Sequence, residues 1–90
     1  MPHPSDKRRF TGQNIEDSPT GPGVYRLYDG PKVSYVGSAK DISERLSKHN
    51  EDSRFRDITS FDFLKTKTTA EARSLEQRQI EKYNPPQNHT

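Results

Sequence analysis

Ninety residues, 26% of them apolar, make one small domain whose apolar side chains must be concentrated in a few elements. The absence of cysteine excludes disulfides and thiolate metal sites. No apolar run is long enough to cross a membrane and no signal-peptide pattern opens the chain, so a soluble, cytoplasmic protein without a membrane partner is expected. The net charge of +2 arises within residues 21–90, which hold 12 basic and 10 acidic side chains. Affinity for DNA or RNA scales with the phosphates neutralised, so a nucleic-acid role must rest on placed residues, on a partner protein or on a dimer.

Residues 1–20 are polar, with Phe10 and Ile15 almost their only apolar side chains, and read as an extension without a core of its own. The Lys7-Arg8-Arg9 run within it reads as a solvated segment. Gly21-Pro22-Gly23 marks a turn, and a single domain is expected over 21–90. Val24 to Asp29 alternates as a strand, with Val24, Arg26 and Tyr28 on one side and Tyr25 and Leu27 on the other. Gly30-Pro31-Lys32 is a tight connection to a second strand, Val33 to Val36, and two such short strands predict an antiparallel hairpin.

Asp41 with Glu44 three residues later forms a capping-box variant that starts a helix. Ile42, Arg45, Leu46 and His49 then fall on one of its faces, so the face that seeks the core carries two basic residues. A polar link, Asn50 to Asp57, leads to a third β-prone run, Ile58 to Lys65, with Phe61 and Phe63 on one side and Leu64 on the other. Thr68 with Glu71 is a second capping box. Ala72, Leu75, Glu76, Gln79, Ile80 and Tyr83 follow as a helical stripe, which Asn84-Pro85-Pro86 ends. The tail from Gln87 is too short for a further element.

Glu76 lies within that apolar stripe, and a carboxylate there must be paired, bound to a metal or set at the edge of a cleft. A structural ion pair with Arg45 and a functional site are equally open on these residues. Zinc is not indicated, because His3, His49 and His89 have no recognised ligand spacing. A hard cation such as Mg²⁺ needs only one or two carboxylates, waters and phosphate oxygens. One carboxylate, one Arg, one His and nearby tyrosines match what phosphodiester hydrolysis demands: charge withdrawal from phosphate, stabilisation of the transition state and a base for water.

Gly23-Val24-Tyr25 and Tyr35-Val36-Gly37, followed in order by Arg45, Glu76 and Asn88, strongly resemble the GIY-YIG nuclease domain. The resemblance covers residues 21–90. It implies an α+β fold, a small three-stranded antiparallel sheet flanked by helices, which agrees with the elements above. It implies a divalent-metal-dependent endonuclease (Mg²⁺ or Mn²⁺) acting on DNA, a family role that includes DNA repair. Nicking of one strand and a substrate chosen by DNA structure, a partner protein or a homodimer are expected, since the chain is expected to lack appended recognition domains.

By resemblance, Tyr25 is a general base or water-orienting residue, Tyr35 positions phosphate or water, and Arg45 contacts the scissile phosphate. His49 matches a histidine used near the nucleophile in some members, Glu76 the metal ligand, and Asn88 the asparagine that closes the site. Gly37, Ser38 and Lys40 are expected on the substrate side of the site. Many repair-type members carry Lys directly after the second Gly, whereas this chain has Ser38, in the Ser-Ala-Lys continuation frequent in homing-type members. The alternative is a non-catalytic nucleic-acid-binding or adaptor module that keeps the fold, or a protein-interaction domain in which Arg45 and Glu76 form a structural ion pair. Tyr25 and Tyr35 then serve only as cross-strand aromatics, Gly23 and Gly37 as turn residues, His49 as a cation near the last helical turn, and Asn88 as a frayed terminus.

Overall fold

A computed structural model describes residues 5–88, so His3 and His89 lie outside the described residues. Four strands, β1 (Arg8–Arg9), β2 (Gly23–Asp29), β3 (Lys32–Ala39) and β4 (Ser60–Lys65), form one antiparallel sheet in the order β1-β4-β2-β3. Three helices, α1 (Gly12–Glu16), α2 (Ile42–Glu51) and α3 (Thr69–Tyr83), accompany it. None of the described helices is long and apolar enough to cross a membrane.

The expected count of three strands is corrected to four, and the additional strand comes from the segment expected to be a polar extension. Arg8 and Arg9 pair with Phe61 and Ser60, and the Ser5 amide donates to the Phe63 carbonyl at 2.8 Å. Phe10 and Ile15 anchor the segment. Ile15 is 1% exposed in the core, and the Phe10 ring meets Phe61 edge-on at 6.0 Å. Thr11 caps α1 by accepting from the Asn14 amide. Nor is the basic run simply solvated, because Lys7 Nζ donates to the Gly30 carbonyl and lies 4.2 Å from the Tyr28 ring centre.

The sheet buries both faces, as period-two alternation requires. Tyr25, Leu27, Phe61 and Phe63 pack with Ile42, Leu46 and Ile15 on the side of α1 and α2, while Val24, Val33, Val36 and Leu64 pack with Ala72 and Leu75 of α3. The β2–β3 hairpin forms as the alternation predicts, with Gly30 at φ +62° in its turn, a conformation that glycine adopts without steric cost. Its register shifts once: Leu27 faces Tyr35 but Tyr28 faces Val33, so Ser34 is an extra residue on β3. This bulge decides which side each later residue takes. Val33 stays on the α3 side, while Tyr35 joins Tyr25 on the α2 side.

Asp41 and Thr68 cap α2 and α3 by accepting from the Glu44 and Glu71 amides. Asn84 ends α3 in the left-handed conformation at φ 46°, the usual alternative to glycine at that position. The tail forms a 3₁₀ turn over Pro86–Asn88 where no further element was expected. Asn88 uses its side-chain amide to bracket one residue of β3: the Val36 amide donates to Oδ1 and Nδ2 donates to the Val36 carbonyl, both at 2.9 Å. Because β3 is an edge strand with unpaired backbone groups, Asn88 acts there like a one-residue strand.

Candidate active site

A cleft of about 770 Å³ opens beside β3, and its wall is drawn from β2, β3, α2 and α3. Tyr25, Tyr35, Ser38, Lys40, Arg45 and Glu76 all line it. Thus six of the residues singled out from the sequence, up to 51 positions apart along the chain, meet in one place. Gly37, His49 and Asn88 do not line the cleft: Gly37 and His49 lie against Tyr25, and Asn88 holds the backbone of Val36. Lys48 and Arg73, not anticipated from the sequence, also line the wall, as do Asp41 and Glu44, and Lys48 is paired with Glu44 at 3.4 Å.

Gly37 lies directly across from Tyr25 in the β2–β3 register. A Cβ at Gly37 would overlap the Tyr25 hydroxyl and the end of its ring. The absent side chain is therefore the space in which the phenol lies. Gly23 is constrained in the same way, by the Leu64 carbonyl and the Ile42 side chain. Both glycines are needed for close approach rather than for a turn.

The Tyr25 hydroxyl and His49 Nε2 share a hydrogen bond of 2.7 Å. His49 is wedged between rings, with centroids 5.4 Å from Tyr25, 5.2 Å from Tyr35 and 4.5 Å from Phe55. Phe55, in a short 3₁₀ turn after α2 and 3% exposed, closes this cluster from a segment that composition alone marks as a polar link. Burial, and then the nearby Arg45, lowers the His49 pKa from its ordinary 6.5 to about 4, so the imidazole is neutral at pH 7. A cationic His49 serving the helix dipole is thereby corrected. Burial also pushes the Tyr25 phenol above its ordinary 10.0, with Tyr35 adding to the effect and Arg45 opposing it.

Arg45 and Glu76 do not form an ion pair. Arg45 is exposed at the cleft wall and Glu76 is half-buried; among the described residues the ion pairs are Arg26–Asp62, Lys48–Glu44 and Arg54–Asp52. The open question about Glu76 is thus resolved in favour of the edge of a cleft. Its carboxylate accepts one hydrogen bond, from Ser38 at 2.9 Å, and it takes part in none of those ion pairs. No group of three or more His, Cys, Asp or Glu able to hold a metal exists among the described residues. Glu76 offers the cleft one carboxylate, a donor of the kind that suits a hard cation whose shell water and substrate oxygens complete, rather than zinc.

The buried ion pair belongs to Arg26 on the opposite side of β2. Its Nε and Nη2 donate to the two oxygens of Asp62 at 2.7 and 2.6 Å, and Nη1 reaches Gln79 and Tyr83 on α3. The Tyr28 hydroxyl donates to the same carboxylate at 2.9 Å. Sequence reading placed Arg26 and Tyr28 on one side of their strand but did not find this pair. Alternation does reveal a charged residue at a buried position, yet its partner is fixed only by β2–β4 pairing.

A family model, described as the UvrC-like GIY-YIG domain, matches residues 21–89. The UvrABC system protein C of Edwardsiella ictaluri is 41% identical over 76 residues, covering 74% of this chain and 12% of that protein. The protein of the same name from Salinibacter ruber is 36% identical over 93 residues, covering 92% of this chain and 15% of that protein. The chain therefore matches only a small part of these curated relatives. The GIY-YIG N-terminal endonuclease domain of UvrC from Thermotoga maritima, solved bound to magnesium, superposes with a TM-score of 0.77 at 27% identity, covering 83% of this chain and 91% of that one. With both tripeptides, Arg45, Glu76 and Asn88 inside the matched region, this chain belongs to the UvrC-like GIY-YIG nuclease-domain family.

Proposed function

We propose that the chain is a divalent-metal-dependent endonuclease that hydrolyses a phosphodiester bond of DNA, nicking one strand. The observation that carries this reading is the Tyr25–His49 hydrogen bond, which reaches the same cleft as Arg45 and Glu76. The family and the magnesium-bound neighbour support it.

Tyr25 is a poor base by itself, because its raised pKa opposes formation of the phenolate. The neutral His49 gives the phenolic proton an acceptor within hydrogen-bond reach. As the attacking water gives its proton to the Tyr25 oxygen, the phenolic proton passes along the 2.7 Å hydrogen bond to His49 Nε2, and no free phenolate forms. Arg45 holds a non-bridging phosphate oxygen and offsets the charge that gathers in the transition state. Tyr35 orients the phosphate or the water, and its ring keeps His49 in place by contact. Lys40, together with Arg73, extends the positive wall along which a DNA backbone can lie. Gly37 makes room for Tyr25, and Asn88 closes the site from behind by holding β3 at Val36. Glu76 would hold Mg²⁺ or Mn²⁺, which when bound withdraws charge from phosphate and lowers the pKa of water.

One such site breaks one strand, so double-strand cleavage requires two copies or two events. DNA structure, a partner protein or a homodimer supplies substrate choice, because the cations and hydroxyls that line the cleft suit phosphate, whose contacts position a duplex without reading its sequence. The test is conversion of supercoiled plasmid and of branched oligonucleotides with Mg²⁺ or Mn²⁺, beside Glu76→Ala. Nicked product from the wild-type chain and a loss of at least a hundredfold in Glu76→Ala are expected. Equal cleavage by the two proteins removes the proposal.

A further inference from the structure

Ser38 faces Val24 across the β2–β3 pair, on the side of the sheet that α3 covers, and its hydroxyl donates to Glu76 Oε1 at 2.9 Å. It reaches that side because of the bulge at Ser34, without which Tyr35 and Ser38 would exchange sides relative to Val33. We propose that Ser38 is a positioning residue for Glu76: its hydroxyl holds one carboxylate oxygen so that the other is presented to a divalent cation in the cleft. This inference rests on the reading of Glu76 as the metal ligand.

Two physical arguments support it. A glutamate has three side-chain torsions to fix, at an entropic cost, and a site built on a single carboxylate has no companion ligands to share the task. Outer partners of ligating carboxylates perform that orientation in metal sites generally. A hydroxyl also suits the task better than a cation, because it steadies the carboxylate without cancelling the charge the metal requires. Ser38 has only one O–H to donate, so this use replaces the substrate contact expected of it from resemblance.

The test is a titration of the full chain with Mn²⁺ in the absence of DNA, followed by water-proton relaxation, which needs no turnover. Ser38→Ala should bind Mn²⁺ about tenfold more weakly, the lower end of the range for outer-shell partners. Ser38→Val and Ser38→Thr form a second, shape-matched comparison that differs only in the hydroxyl. The threonine variant should retain affinity and the valine variant should lose it, with thermal unfolding midpoints alike for the two. Wild-type affinity in Ser38→Ala or Ser38→Val, while Glu76→Ala abolishes binding, overturns the positioning role and leaves the metal-site reading intact. Unchanged affinity in Glu76→Ala overturns both.

Discussion

His49 is held neutral by its surroundings, and stability should record this. Arg45 and Arg54 oppose its protonation while Asp52 favours it, but burial dominates and brings the pKa to about 4 from 6.5. Between these values the unfolded chain binds a proton that the folded chain does not, so stability is fully present above about pH 6.5 and is lost as pH falls toward 4. Urea unfolding at steps of pH across this window should show that loss, and His49→Gln should flatten the profile while keeping a polar partner for Tyr25. Identical slopes in the two proteins would assign the loss to other groups. The residues that line the cleft could be singled out in the sequence because the two tripeptides and the Arg, Glu and Asn that follow resemble one family in order and type. The neutral state of His49 was not legible, since it depends on Phe55 and Tyr35 arriving from separate segments.

At the scale of elements, α3 carries Glu76 and must be fixed in rotation and height against the sheet. Arg26 contributes to this by gripping Gln79 and Tyr83, one and two turns beyond Glu76, while its other nitrogens engage Asp62. The side chains of Arg26 and Asp62 are only 9% and 6% exposed, and removing one partner leaves the other charge buried. Arg26→Met alone should therefore cost about 3–5 kcal/mol, and the double variant Arg26→Met/Asp62→Leu should recover most of it. Chemical denaturation of the two variants would measure this, and a double variant no more stable than the single one would refute it. The starts of α2 and α3, the hairpin and the sides of β2 and β4 were legible, because caps and alternation are local signals, whereas the start of α1 was not. The bulge at Ser34 and this ion pair were not, because both are properties of strand pairing.

For the whole molecule, the segment before Gly21 is the part that composition misrepresents. Phe10 and Ile15 are too few to build a core, but enough to complete one that the rest of the chain supplies. Ile15 fills that core, and α1 also serves the start of α2: the Ser43 hydroxyl donates to the Ile15 carbonyl at 2.9 Å, and the Ser43 amide donates to the Pro19 carbonyl at 3.0 Å. These contacts satisfy groups in the first turn of the helix that carries Arg45 and His49. A domain of this size has about 5–15 kcal/mol of net stability, and truncating a buried isoleucine costs about 2–5 kcal/mol. Ile15→Ala should thus lower the unfolding free energy by that amount, and removal of residues 1–17 by more, with loss of cleavage at temperatures where the intact chain is active. Calorimetry and plasmid nicking on the same preparations decide it. A shortened chain that melts and cleaves like the full one would make the segment dispensable. The opposite outcome would show that the cleft and the proposed cleavage depend on residues lying outside the span matched by the family model.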